Sequence, residues 1–238
     1  MDLEGRVAVI TGATGGLGHV VARAFAERGA AVAALSSTQA KLDALGQELG
    51  LPAKRWLAQA ADLRDRASVQ SAAESVIRAF GRVDILLQLV GGWVGGKELA
   101  ATDARDLTSM LDQHVWTTFH VLQAFIPHLA ASGRGRVVVV SSPVASRPPA
   151  KMGVYAAAKA AEEALILTLA QEARDKGVTA NVLQVRAIDV QHKRDKEPSS
   201  SNASWTTPEE IATAILYLCS PDAGMINGAR LPLTGSGA

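Results

Sequence analysis

Short runs of β-branched and aliphatic residues alternate with longer alanine-rich stretches along this chain, and that alternation limits the fold more than any other feature. The runs are RVAVIT (6–11), AVAALS (31–36), VDILLQL (83–89), RVVVVSS (136–142) and TANVLQV (179–185), with weaker candidates at 56–60 and 229–233. Helical spacing fills 16–28, 39–49, 66–80, 103–132, 153–176 and 207–219. The last of these opens with Thr207 as cap, Pro208 at the first helical position, and Glu209 and Glu210 in the first turn. Strands that are apolar on both faces and separated by helices belong in a parallel sheet covered on both sides. Right-handed crossovers then give a doubly wound α/β sheet, with ligands bound at the carboxyl ends of the strands.

No Pro/Ser-rich linker divides the 238 residues, so one domain over 1–238 is expected. Hydrophobic residues make up 48% of the chain and charged ones 20%, enough to bury a sizeable core. A net charge of +1 provides no basic footprint for nucleic acid or an anionic membrane, which leaves a small molecule as the expected partner. No apolar run is long enough to span a bilayer, and MDLEGRVAVITG does not read as a secretory signal. The single Cys219 suits a reducing cytoplasm and reads as a small buried residue on a helix. The polar segment QHKRDKEPSSSNAS (191–204) reads as a mobile surface loop.

TGATGGLG, Thr11 to Gly18, follows the first strand directly and opens the first helix. Gly12, Gly16 and Gly18 let the backbone turn sharply, approach a pyrophosphate and pack helix on strand, with Thr14 and Leu17 between them. The free N–H groups at the helix start face the anion. An NAD site usually carries an acid about 20 residues further on, for the ribose 2′-hydroxyl. Ser36, Ser37 and Thr38 stand there instead, which removes the repulsion a carboxylate would exert on a 2′-phosphate; NADP is therefore the expected cofactor, with NAD as the alternative and Lys41 as a helper.

Ser141 and Ser142 end the strand RVVVVSS, and thirteen residues after Ser142 comes Tyr155, followed four residues later by Lys159. Tyr and Lys at i and i+4 share one helix face, so the ammonium can sit near the phenol. An isolated tyrosine ionises near pH 10, so acid–base work near neutrality needs a shift of roughly 3 units, about 4 kcal/mol. A lysine in high dielectric supplies only about 1 kcal/mol. Desolvation and a cationic nicotinamide are expected to add the rest. Ser142 can donate a hydrogen bond to a substrate carbonyl oxygen as hydride arrives.

TGATGGLG, Asp62-Leu63, Ser142, and Tyr155 with Lys159 together resemble the short-chain dehydrogenase/reductase family, and the likeness runs nearly the whole length, to INGARLPLTG. It implies a seven-stranded Rossmann sheet and oxidoreduction with NAD(P)(H). Asp62 would bond the adenine amine, Leu63 would line its pocket, and Val90, Gly91, Gly92 and Ile188 would lie along the nicotinamide half. Tyr155 would be the acid or base, and Lys159 would hold the nicotinamide ribose and lower the Tyr155 pKa. Ser142 would orient the substrate. Homodimers or homotetramers through the long helices 103–132 and 153–176 are implied as well.

Three places depart from that pattern. His114, in DQHVW, stands where most members carry a catalytic Asn; an imidazole can relay a proton or hold a water, and its charge can change near neutral pH. Val185-Arg186 replace a Pro-Gly near the nicotinamide carboxamide, and Gln88-Leu89-Val90-Gly91 replace Asn-Asn-Ala-Gly. VDILLQLVGGWVGG, QHVW and ASWTTPEE are similar to the dihydropteridine reductase branch, in which a planar pterin would meet Trp93 at the mouth of the site. Three readings follow: a carbonyl or alcohol oxidoreductase with Tyr155 as proton donor, a quinonoid dihydropteridine-type reductase, or a silent nucleotide-binding regulator.

Overall fold

The computed structural model describes residues 2–235; Met1 and residues 236–238 of the expected 1–238 domain lie outside them. The strands β1 (Val7–Thr11), β2 (Ala31–Ser36), β3 (Trp56–Ala60), β4 (Ile85–Gln88), β5 (Arg136–Ser141), β6 (Thr179–Val185) and β7 (Arg230–Leu233) form one sheet in the order β3-β2-β1-β4-β5-β6-β7. Every pairing is parallel, from Val7 opposite Ala31 to Val185 opposite Leu233. The chain is thus an α/β Rossmann fold with helices on both faces, and both weaker strand candidates are real strands.

Alternation along each strand feeds two cores. Val7 and Val9 of β1 face α3 (Arg66–Phe80), α5 (Thr117–Ser132) and α6 (Gly153–Glu172), where Phe125 is fully buried. Ala8 and Ile10 face α1 (Gly16–Glu27), α2 (Gln39–Leu49) and α8 (Pro208–Cys219), centred on Phe25. Each large apolar side chain enclosed in this way contributes about 1.5–3 kcal/mol. The α8 start is as expected: Thr207 and Glu210 form a reciprocal capping box, with Glu210 N–H donating to the Thr207 hydroxyl and Thr207 N–H to the Glu210 carboxylate. Cys219 is buried on α8, and burial pushes its thiol up to about 12, so it carries no nucleophile.

β4 is shorter than the run 83–89 because side chains take over at both ends. Val7 N–H donates to the Asp84 carboxylate at 2.9 Å, and Leu89 N–H donates to Thr11 Oγ1 at 3.1 Å. The expected helix over 103–132 is also divided: α4 (Ala104–Leu111) runs into a π-helical turn, Asp112–Trp116, before α5 begins. The segment 191–204 is tied down, contrary to the expectation of a mobile loop. Asp189 accepts from Lys193 N–H and Arg194 N–H, both at 2.8 Å, and starts the short α7 (Lys193–Lys196). Arg194 then pairs with Glu210 at 2.7 Å, and Asn202 and Ser204 are buried.

Candidate active site

The order of strands reverses beside β1, and there the chain turns at Gly12 (φ 64°) into α1. A Cβ on Gly18 would stand 2.1 Å from the Gly12 carbonyl oxygen, so this packing of helix on turn excludes any side chain. Gly15 occupies the cap position of α1 and offers no side chain to the N–H groups of the first turn. An uncapped helix start beside the crevice fits a pyrophosphate. Thr14 and Ser36 share a hydrogen bond of 2.8 Å, which ties the loop to the end of β2, and Ser37 and Thr38 are exposed. Val190 sits over Gly16, where a Cβ would meet its methyl groups at 2.9 Å.

Asp62 follows β3, and both its oxygens are engaged by Arg64, at 3.0 and 2.9 Å; that guanidinium holds the carboxyl below its ordinary range. Sequence reasoning did not foresee this pair. Leu63 is buried beside it.

At the chemical end, β5 delivers Ser142 and α6 delivers Tyr155 and Lys159. Ser142 is buried and lines the same cavity as Tyr155. The Lys159 ammonium donates to Val140 O at 2.9 Å and to Glu162 Oε2 at 2.6 Å. Lys159 was expected to lower the pKa of Tyr155, and its charge acts in that direction, but the help expected from desolvation is corrected: burial pushes the phenol above its ordinary range and outweighs Lys159, while Glu162 adds to the rise and Ser142 opposes it. Desolvation therefore works against ionisation of this phenol rather than for it.

The π-helical turn places His114 edge-on to Tyr155, with ring centroids 5.6 Å apart. Nε2 lies 2.9 Å from Gly92 O, which fixes the proton on that nitrogen, and Nδ1 is buried with no partner. Burial, reinforced by Lys159, lowers its pKa to about 4. The imidazole is therefore neutral at physiological pH, which corrects the expectation of a charge that changes near neutrality. Gly91 and Gly92 have an immediate reason here: a Cβ on the first would strike His114 Cε1 at 2.7 Å, and one on the second would meet Gln113 Oε1 at 2.2 Å. The pair makes room for the His114 and Gln113 side chains.

A buried polar network, absent from the expectations, braces this turn. Thr11 Oγ1 donates to Gln88 Oε1 at 2.8 Å, Gln88 Nε2 to Thr117 Oγ1 at 3.3 Å, and Thr117 Oγ1 to Gln113 O at 2.7 Å. No spacing signal marks Gln88, a lone polar residue inside an apolar run, or Thr117, one of two adjacent threonines on a helix.

A cavity of about 1050 Å³ opens at the chemical end and reaches Leu17 of α1; Gly12, Thr14, Gly16, Gly18, Ser36, Ser37, Asp62 and Leu63 are not in its lining. Leu17, Val90, Gly91, Gly92 and Ile188 line it with Ser142, Tyr155 and Lys159, while Trp93 stands at its mouth, 59% exposed. The charged side chains lining it are Arg147, Lys159 and Arg186, with no carboxylate among the described residues. Arg186 donates to Ser204 Oγ at 2.6 Å, which ties the segment after β6 to the stretch 191–204.

Residues 6–200 match the family model for short chain dehydrogenases. The chain is 32% identical to a D-threitol dehydrogenase of Mycolicibacterium smegmatis, over 98% of this chain and 93% of that one. In structure it is similar to a 3-ketoacyl-(acyl-carrier-protein) reductase of Brucella melitensis complexed with NADH, with TM-score 0.89, 28% identity and 99% of each chain covered. It is equally similar to the NADPH-bound short chain oxidoreductase of Pseudomonas aeruginosa PAO1 that contains an atypical catalytic center, with TM-score 0.88, 27% identity, and 99% of this chain and 97% of that one covered. By the matched family model and by its fold, the chain belongs to the short-chain dehydrogenase family of oxidoreductases.

Proposed function

We propose that the protein reduces a carbonyl, or oxidises the corresponding alcohol, with NADP(H) as the preferred dinucleotide. The observation that carries this reading is the convergence of Ser142, Tyr155 and Lys159 on one cavity that Leu17 of the first turn of α1 also lines. Two hydroxyls on one cavity can share one acceptor, the substrate oxygen. The gap left by Ser36, Ser37 and Thr38 supports NADP over NAD.

When bound, the nicotinamide supplies or accepts the hydride. Gly12, Gly16 and Gly18 with the α1 N–H groups would hold the pyrophosphate, Asp62 and Leu63 would hold the adenine, and Gly91, Gly92 and Lys159 would hold the nicotinamide ribose. Ser142 donates to the carbonyl oxygen and stabilises its developing charge, and Tyr155 passes its proton to that oxygen. His114, neutral and unpaired at Nδ1, holds a water or polar group beside Tyr155 rather than serving as a cationic acid. Arg147 and Arg186, unopposed by any lining carboxylate, favour a substrate that carries a negative charge.

The pterin reading rests on Trp93 and three sequence patches alone, and the Ser142–Tyr155 pair favours carbonyl chemistry over it. A silent regulator has no use for the intact Ser, Tyr and Lys. Trp116 and Phe119 stand exposed on the π-helical turn and α5, an apolar surface that supports assembly as a homodimer or homotetramer.

The test is consumption of NADPH and NADH with a panel of keto acids, neutral ketones and quinonoid dihydropterin. Turnover of a keto acid with NADPH is expected. Tyr155→Phe should lower it by about 10²- to 10⁴-fold and leave dinucleotide affinity intact; activity close to wild type would show that the proton comes from elsewhere.

A further inference from the structure

The Lys159 ammonium is not a free charge. Two of its three N–H bonds are taken up by the protein, by Val140 O at 2.9 Å and Glu162 Oε2 at 2.6 Å. Glu162 is fully buried, and its second oxygen accepts from Thr118 Oγ1 of α5 at 3.0 Å. A carboxylate is a costly way to join α6 to α5, because a buried ion pair is often no more stabilising than apolar side chains of similar volume. The same side of the sheet is filled by Val121, Phe125, Ile166 and Leu169, all apolar.

The position of this carboxylate matters for the phenol. A bare ammonium some 4 Å away favours tyrosinate by about 1 kcal/mol in water and about 4 kcal/mol at the effective dielectric near a protein surface. An anion in contact with that ammonium turns the charge into a dipole, whose field falls off faster. Reduction of a carbonyl requires the phenol protonated, whereas oxidation of an alcohol requires phenolate.

We propose that Glu162 is a positioning residue: a buried counter-ion that anchors the Lys159 ammonium and cancels part of its field at Tyr155, biasing the site toward carbonyl reduction at neutral pH. The inference rests on Tyr155 as the proton donor. The other groups facing this cluster do not substitute for Glu162. His114, on the π-helical turn, is neutral. Glu163, the next residue on α6, is held by Gln184 of β6 at 3.0 Å and Arg230 of β7 at 2.5 Å. Ser142 and Thr118 are uncharged. Burial pushes the Glu162 carboxyl up, while the Lys159 ammonium 2.6 Å away and the Thr118 hydroxyl act in the opposite direction and favour the carboxylate.

The chain has two tyrosines, so in a Tyr217→Phe background the ultraviolet absorbance of tyrosinate reports Tyr155 alone. Tyr217 is a half-exposed residue of α8, outside the site. With saturating NADP⁺, Glu162→Gln should move the Tyr155 midpoint to lower pH by about 1 unit, a tenfold gain in tyrosinate at a given pH, and carry the pH profile of alcohol oxidation with it. Glu162→Asp, which keeps the charge, should stay within a few tenths of a unit of wild type. An unmoved or alkaline-shifted midpoint in Glu162→Gln overturns the proposal, as does an equal shift in Glu162→Asp, which would point to packing instead. If Glu162→Gln does not fold, the Tyr217→Phe protein alone decides: a Tyr155 midpoint below about pH 7 leaves no protonated phenol for Glu162 to preserve, and overturns it. Retained activity in Tyr155→Phe would instead defeat the reading of the donor, while the titration still reports the field at the phenol.

Discussion

His114 shows what burial does to a single side chain near the chemistry. Its pKa of about 4 lies below the unperturbed value of about 6.5, so the unfolded chain binds a proton that the folded one refuses between these limits. Stability is therefore fully present above about pH 6.5 and declines as pH falls toward 4, by about 3 kcal/mol from this residue. His114→Asn should remove that decline, measurable as the difference in urea unfolding free energy between the two proteins at pH 7 and pH 4.5. Turnover by His114→Asn should keep the wild-type pH profile between 6 and 8, because the imidazole carries no charge there to lose. The sequence pointed to Ser142, Tyr155 and Lys159 because their spacing maps onto one strand end and one helix face, whereas His114 was singled out only by the family resemblance. Glu162, Gln88 and Thr117 were not legible. Their partners lie 3, 77 and 4 residues away along the chain, and only the fold tells which of these separations matter.

Elements that follow a simple period were readable, and those that break it were not. The first strand and helix match their expected spans to within a residue, because apolar runs and caps are local signals. The π-helical turn at Asp112–Trp116 adds a residue to one turn without changing composition, so 103–132 read as one helix. The segment 191–204 read as mobile because its polar residues give no hint that Asp189 caps it and Glu210 clamps it. The join of β1 to α1 was legible, and it is also the least forgiving. Gly18→Ala places a methyl 2.1 Å from a backbone oxygen that belongs to the same tight turn and cannot swing aside. The expected cost is about 1–3 kcal/mol in unfolding free energy, with dinucleotide affinity reduced at least tenfold, read by denaturation and by fluorescence titration. Unchanged affinity would show that the loop does not seat the pyrophosphate.

A parallel sheet has two unlike ends, and this molecule divides its work between them. The carboxyl ends of the strands form the cavity; the amino ends converge on Asp84, which is fully buried at the start of β4. Its carboxylate accepts from Arg82 at 2.6 Å, Arg134 at 2.9 Å and Val7 N–H at 2.9 Å, with Arg6 at 3.8 Å. Burial alone would raise its pKa, but these donors outweigh it and hold the group below the ordinary carboxylate range. A depressed carboxylate stabilises the fold above its unfolded value, about pH 3.9, and that contribution is lost as pH falls further through the folded value. Acid unfolding should thus have two windows, one from His114 between about 6.5 and 4 and one from Asp84 below about 4. Asp84→Ala leaves three guanidinium groups converging on a missing anion, and breaking a buried charge cluster in this way costs about 3–5 kcal/mol. Because the cluster lies at the opposite edge of the sheet from Tyr155, turnover per folded molecule should stay at the wild-type value while the urea midpoint falls. A loss of turnover in molecules that remain folded would mean that the two ends of the sheet are coupled, and that the division of labour drawn here does not hold.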